Sequence, residues 1–504
     1  MFSIEAIVSF IKKNIRVRDV IIVLIIIGLY AASRLINLDK WPIFSDEGIS
    51  IRWAKVAWKD ASWRFISITD GRQPLQTWGT IPFLKLFPHN ALFAGRLFSV
   101  ATGFAALTGM YSLLFYLWGK RAAVIGAILY VFIPYTLLYD RFALVDSAVN
   151  AGCIWILFFS IWLAKNRRLD TALLLGFIGG IALLAKSSSR MFLMLSVFAP
   201  ILYMKDSLKT IISKSANYGV LLTGAGLISF IFYNVQRLSP YFHIVAQKNT
   251  TFVMTFAEFM ANPFAYSHNF RVIPLYIAWE SGWLIIPISI LGGIMLYKKD
   301  KLLMLYLLIF ILLPYLAISF FAKILFARYV LFMSTFVIIT ATYFFVQNKW
   351  KYNHYLFITL LTSMTYFNYA LLFNPARASL PPVDKGQYIE GVTAIWGAAE
   401  FMQSVREESV IKPVLIMAEG DFGLVGDVLR VFKQEGDAID IDGFWPLDKV
   451  HLIEYQPRLE DRTVYIVFSH REEFPDHWPM EFVKKYEKPV GNKALYVYKL
   501  THGQ

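Results

Sequence analysis

The chain has 504 residues, of which 57% are hydrophobic and only 17% charged, with a formal net charge of +14. Soluble domains carry about 25% charge, so this composition excludes a soluble globular protein and indicates an integral membrane protein. The basic excess then belongs to cytoplasmic loops and anionic membrane lipid; no arginine-rich aromatic groove or zinc-finger spacing accompanies it, so nucleic acid is not expected as a partner.

Lys12, Lys13, Arg16 and Arg18 precede an apolar run from Val20 to Ile36. Ala31-Ala32-Ser33 is small enough to be cleaved, but the run is too long for a signal-peptide core and reads as an uncleaved first span. Runs long enough to cross a hydrocarbon core of ~30 Å occur about eleven times. They fall near 19–38, 91–117, 122–139, 147–164, 171–186, 189–204, 217–234, 273–296, 302–321, 327–346 and 354–373. Basic residues cluster at every second boundary: Lys12 to Arg18, Lys120 and Arg121, Lys165 to Arg168, Lys205 to Lys214, Lys298 to Lys301, and Lys349 with Lys351. The positive-inside rule makes those boundaries cytoplasmic and turns the others, including the loop holding Asp46, outward. An odd number of spans puts the C-terminal tail on the outer side too. The short pair 171–186 and 189–204 is the weakest part of that count. Cys153 is the single cysteine and sits in an apolar run, so neither an intrachain disulfide nor a thiolate metal site is expected.

Two outer loops are long. The first, 39–90, contains an interval from Ile49 to Trp58 whose apolar residues recur at helical spacing with Arg52, Lys55 and Lys59 among them. That pattern predicts a helix lying in the membrane interface. The second, 236–272, has aromatic flanks, and its His243 and His268 read as loop polarity. After Asn374, Pro381-Pro382 breaks the chain and charges become common. Val414–Ala418, Thr463–Phe468 and Ala494–Tyr498 predict buried strands, with helices over Thr393–Arg406 and Leu424–Lys433. The expected organisation is a membrane domain over 1–373 and an extracytoplasmic α/β domain over 374–504, the latter of about 125 residues. The Glu419–Gly423 interval follows a strand without any dinucleotide or Walker fingerprint and reads as a plain turn.

Polar residues gather at the outer ends of the spans. The first loop supplies Asp46, Glu47 and Asp70 to Leu75; the third span ends near Arg141 and Asp146; Lys186 and Arg190 flank the next outer turn; Lys323 and Arg328 bracket the turn before the tenth span. Carboxylates at a hydrocarbon boundary are costly unless solvated or paired. Several cations beside them suit an anionic lipid headgroup together with a base. Transfer of a sugar from a polyprenyl phosphate needs that set: cations stabilise the leaving phosphate, and a carboxylate takes the acceptor's hydroxyl proton. Arginine suits the phosphate because its planar fork binds two oxygens at once.

Asp46-Glu47 after the first span, the Gly71–Leu75 tract, Ala94 to Leu97 with Arg96, the interval from Arg141 to Asp146, and Lys323 with Ala327-Arg328-Tyr329 together resemble the membrane-embedded GT-C glycosyltransferases. More narrowly, they resemble the dolichyl-phosphate-mannose-protein mannosyltransferase and aminoarabinose transferase group, the family 39/83 type, over about the first 370 residues. The resemblance implies a polytopic α-helical GT-C fold, with a C-terminal soluble α/β domain like the appendages of bacterial members. It implies an inverting transferase of the cell membrane that moves a sugar from a polyprenyl-phosphate donor to a protein, lipid or glycan acceptor on the outer face. Asp46 would be the general base, Glu47 would shape its hydrogen bonding or help bind the acceptor, and Asp146 would be a second acidic residue near the donor. Arg72, Arg141, Lys323 and Arg328 would hold the donor phosphate. Gln73 departs from the usual double proline before leucine. A glutamate that the aminoarabinose transferases carry is replaced by Gly71, so no metal is carried over.

Other readings stand beside this one. Asp46 and Glu47 could cap the interfacial helix, Arg141 and Asp146 could form a structural ion pair, Lys323 and Arg328 could snorkel to headgroups, and Arg96 could be architectural. A transporter or flippase of lipid-linked sugars would use the same basic groups but would place charges or broken helices at mid-bilayer. A non-catalytic envelope scaffold would leave Asp46 dispensable.

Overall fold

All of the apolar runs are helical, as backbone in hydrocarbon must satisfy its N–H and C=O groups within the segment. The computed structural model describes residues 16–502; Lys12 and Lys13 lie outside the described residues. Among the described residues six helices can cross a membrane by length and composition, or seven where Asn269–Ser281 and Ile285–Lys299, a pair bent by 106°, count as one span. Of the other runs, Val17–Leu35 is 19 residues long but carries Arg18, Asp19 and Arg34, and the rest are shorter or interrupted. The 122–139 run divides at Pro134 into Lys120–Phe132 and Pro134–Tyr139, as a proline inside a helix removes a donor and crowds the preceding turn. The 189–204 run becomes an α-turn followed by a 3₁₀ segment that contains Pro200. The chain is a multi-pass helical membrane protein.

Burial divides the spans into centre and periphery. Asp146–Asn166 and Ala327–Gln347 are 89% and 83% buried in protein, against 17% for Leu208–Leu238 and 22% for Asn353–Phe373. The two most enclosed spans are therefore those whose first turns carry Asp146 and Arg328.

The C-terminal part contains a five-stranded sheet in the order β4-β3-β5-β7-β6, where β3 is Val414–Glu419, β4 Ile439–Phe444, β5 Thr463–Phe468, β6 Met480–Glu487 and β7 Ala494–Leu500. β3 runs parallel to β4 and β5, and β7 is antiparallel to β5 and β6. The three strands expected from apolar runs are the three inner strands. The two edges were not anticipated, because edge strands break their apolar pattern with charge, which blunts pairing with other chains. β4 alternates Ile439, Asp440, Ile441 and Asp442, and β6 carries Glu481, Lys484, Lys485 and Glu487.

The 39–90 loop joins the two parts. Ile43 and Phe44 (β1) pair antiparallel with Ile395 and Ala394 (β2). The helix expected near Ile49–Trp58 runs over Ser45–Lys59, but it does not lie free in the interface: Ile49, Ile51, Trp53, Ala54 and Ala57 are all buried in protein. It packs under the Val425–Phe432 helix, which takes up the charges of Arg52 and Lys55. Arg52 pairs with Asp427. The Lys55 ammonium donates to the carbonyls of Arg430, Val431 and Lys433, which complements the negative end of that helix. Gly48 permits the contact, since a β-carbon there would lie 2.9 Å from Val428 Cγ2. Gly48→Val is expected to destabilise the protein by about 1–3 kcal/mol through overpacking, read as a lowered melting temperature in detergent. An unchanged melting curve would contradict this packing.

Candidate active site

The site begins with a buried ion pair. Glu47 and Arg96 are both fully buried, and the Arg96 Nε and Nη2 groups each donate to the Glu47 carboxylate at 2.8 Å. Glu47 also accepts the backbone N–H groups of Phe44 at 3.0 Å and Ala143 at 2.8 Å. Arg96 donates further to the carbonyls of Leu38, Trp41 and Pro42. Buried charges are tolerable only with their hydrogen bonds satisfied, and this pair meets that condition. The 38–47 loop, the Ala91–Trp118 helix and the turn before Asp146 are thereby locked together. Glu47 is a cap and a clamp, and its carboxylate is fully occupied.

Asp46, the preceding residue, points the other way. Its Oδ1 accepts Nη2 of Arg72 at 3.1 Å, and its Oδ2 accepts Nη2 of Arg328 at 3.1 Å. Burial pushes the Asp46 carboxyl up, but Arg72 and Arg328, with Lys186 behind them, outweigh it and hold the pKa below the ordinary carboxylate value. Arg72 is aimed by the turn before it. Gly71 adopts the left-handed conformation at φ 68°, and its missing side chain leaves room for the Phe242–Phe252 helix, whose Lys248 Cβ would be 2.6 Å from a β-carbon. Asp70 then accepts Arg72 Nε at 3.0 Å and Lys248 Nζ at 2.6 Å. Burial disfavours the Arg72 cation, yet Asp46 and Asp70 more than compensate and raise its pKa.

Asp146 opens the Asp146–Asn166 helix, where the positive end of the helix dipole favours a carboxylate. Its Oδ1 lies 3.3 Å from Lys186 Nζ and its Oδ2 3.9 Å from Arg328 Nε. Lys186 also stands 3.9 Å over the Tyr329 ring. Arg328 is nearly buried, and its Nη1 donates to Gln387 Oε1 at 2.6 Å and to the Tyr388 hydroxyl at 2.9 Å. Asp46, Asp70 and Asp146 thus meet Arg72, Arg328, Lys186 and Lys248, with one cation in excess. Among the described residues Arg72 Nη1 has no hydrogen-bond partner. Such a cluster can receive an anion.

The other basic residues singled out from the sequence serve elsewhere. Arg141 donates to the carbonyls of Ser33, Arg34, Ile36 and Asn37, and so caps the C-terminal end of the Val17–Leu35 helix. The Lys323 ammonium bonds the Thr250 carbonyl at 2.9 Å and Glu258 at 2.7 Å, fastening the 236–272 loop. Lys248, Gln387 and Tyr388 were missed. Lys248 lies in the Phe242–Phe252 helix, within a connection that carries no motif, and the other two follow the last span. Behind Arg328, Asp384 accepts the Tyr139 hydroxyl and faces Glu280, and burial raises its carboxyl above the ordinary range. Among the described residues no group of three or more His, Cys, Asp or Glu side chains is placed to hold a metal ion.

Removing one partner of a buried pair strands the other charge. Glu47→Ala is therefore expected to cost about 3–5 kcal/mol and to lower the melting temperature sharply. Lys323→Ala, at the loop fastening, should leave the melting temperature nearly unchanged.

Residues 72–233 match the model of the dolichyl-phosphate-mannose-protein mannosyltransferase family. No curated protein sequence matches the chain. Among solved structures, ArnT from Cupriavidus metallidurans bound to undecaprenyl phosphate aligns with 96% of this chain and 99% of its own, at 13% identity and a TM-score of 0.59. Its apo state aligns over the same shares at 0.58. The archaeal oligosaccharyltransferase AglB from Archaeoglobus fulgidus, in complex with an inhibitory peptide and a dolichol-phosphate, covers 91% of this chain and 70% of its own, at 11% identity and 0.49. The match to ArnT extends over nearly the whole of both chains, and the fold is that of the GT-C membrane glycosyltransferases.

Proposed function

We propose that this chain is an inverting glycosyltransferase that moves a sugar from a polyprenyl-phosphate donor to a protein, lipid or glycan acceptor on the outer face of the cell membrane. The observation that carries the proposal is the suspension of Asp46 between two arginines with donors to spare. The family match over 72–233 and the fold shared with ArnT, which was solved with undecaprenyl phosphate bound, support the same reading.

In this reading the donor phosphate enters between Arg72, Arg328 and Lys186. Their N–H groups stabilise the charge that develops on the phosphate as the bond to the anomeric carbon breaks, and no proton need be given to the leaving group. The acceptor hydroxyl attacks that carbon from the opposite face and loses its proton to Asp46. As the protein stands, Asp46 is a weak base, because both of its oxygens are neutralised. A phosphate that draws Arg72 and Arg328 toward itself restores the basicity of Asp46 at the moment the donor is in place. Asp146 keeps Lys186 oriented, with the helix dipole at its back.

Transfer from a radiolabelled polyprenyl-phosphate sugar in membranes tests the proposal. Asp46→Asn should lose at least about a hundredfold, in line with removal of a general base. Unchanged transfer by a properly inserted Asn variant would remove Asp46 from the mechanism. Arg72→Ala should raise the KM for the donor about tenfold or more and leave the KM for the acceptor nearly constant; equal changes in both would point to a folding defect. Asp46 has a lowered pKa in the free protein, so its contribution to kcat/KM is complete above the ordinary carboxyl range and is lost only as pH falls below that range. An acid limb between pH 5 and 7 that vanishes in Asp46→Asn would contradict this.

A further inference from the structure

We infer that Gln387 and Tyr388, in the segment leading out of the last span toward the sheet domain, are positioning residues that aim Arg328 at the donor phosphate. This inference rests on the reading of the site as a polyprenyl-phosphate pocket.

A guanidinium has five N–H donors in a fixed plane. In Arg328 the two on Nη1 are taken by Gln387 Oε1 at 2.6 Å and by the Tyr388 hydroxyl at 2.9 Å. One on Nη2 goes to Asp46. Nε lies 3.9 Å from Asp146, beyond hydrogen-bond range. The remaining Nη2 hydrogen and the Nε hydrogen have no hydrogen-bond partner among the described residues. Those two donors are open to a phosphate. With Gln387 and Tyr388 absent, the plane could rotate and put Nη1 against Asp46.

The holders are themselves fixed. The Tyr388 ring stacks on Phe142 at a centroid distance of 4.6 Å and meets Phe44 edge-on at 4.9 Å. Phe44 is the residue whose N–H is held by Glu47, and it pairs with Ala394 in the β1–β2 ladder. The Gln387 carbonyl accepts the Thr393 hydroxyl, and the Thr393 carbonyl accepts the Ser45 N–H. The segment 387–395 is thus tied to the first turn of the helix that carries Asp46. The aim of Arg328 and the position of Asp46 are set by the same ladder.

The test uses full-length protein in detergent and measures binding of decaprenyl phosphate together with the melting temperature. The variants are Gln387→Leu and Tyr388→Phe, each alone and combined with Arg328→Lys. Lysine keeps the charge but has no plane to aim. The expected result is that each single variant folds and binds about tenfold more weakly, with no further loss once Arg328 is lysine. Wild-type binding retained in both single variants would overturn the inference while leaving the pocket intact. A loss of the same size in the Arg328→Lys background would also overturn it, as the residues would then act on the fold at large. Failure of the wild type to bind decaprenyl phosphate would defeat the pocket reading and the inference with it.

Discussion

The Glu47–Arg96 pair is the contact on which the site depends. Two opposite charges are withdrawn from water at the edge of an apolar bundle, and this is tolerable only because every lone pair and nearly every N–H finds a partner. The partners are backbone groups from the loop before Glu47 and from the turn that leads to Asp146, and Arg96 itself comes from the Ala91–Trp118 helix. A single ion pair thus fixes the relative positions of three stretches of chain that the membrane alone would leave free to slide. Asp46 inherits its place from that clamp, one residue along and on the other side of the helix start.

Electrostatics gives the pocket its second property. Each carboxylate in the cluster lies within reach of at least one cation, and the cations are held by more than the carboxylates: Arg72 by the Asp70 turn, Arg328 by Gln387 and Tyr388, Lys186 by the Tyr329 ring. The resting site holds one cation more than its carboxylates and is suited to an anion. Arg72 and Arg328 hold the Asp46 pKa below the ordinary carboxylate value.

Much of this was legible in the sequence, and what was not has definite causes. Apolar runs locate the helices because hydrocarbon demands continuous apolar side chains, and the three inner strands of the sheet stand out for a similar reason. Asp46, Arg72, Asp146 and Arg328 are recognisable as charges that a lipid boundary makes expensive, and they do converge. Arg141 and Lys323 carry the same signal and sit beside carbonyls and Glu258 instead, because a basic residue at a span end serves a helix C-terminus as readily as a phosphate. Lys248, Gln387 and Tyr388 reach the site through tertiary contacts between segments far apart in sequence, and no local pattern marks such residues. The interfacial helix was placed correctly and its surroundings were not, since an amphipathic stripe does not say whether lipid or protein will cover it.

The β1–β2 pairing joins residues about 350 positions apart, Phe44 emerging before the second span and Ala394 after the last. During synthesis the earlier strand leaves the ribosome long before its partner exists, and closing so long a loop carries an entropic cost that only the finished bundle offsets. The acidic residue is thus in place early, while the fork that faces it acquires its second holder last. A half-made chain threaded into the membrane carries the carboxylate without Gln387 and Tyr388, so their contacts to Arg328 form only after those residues have been made.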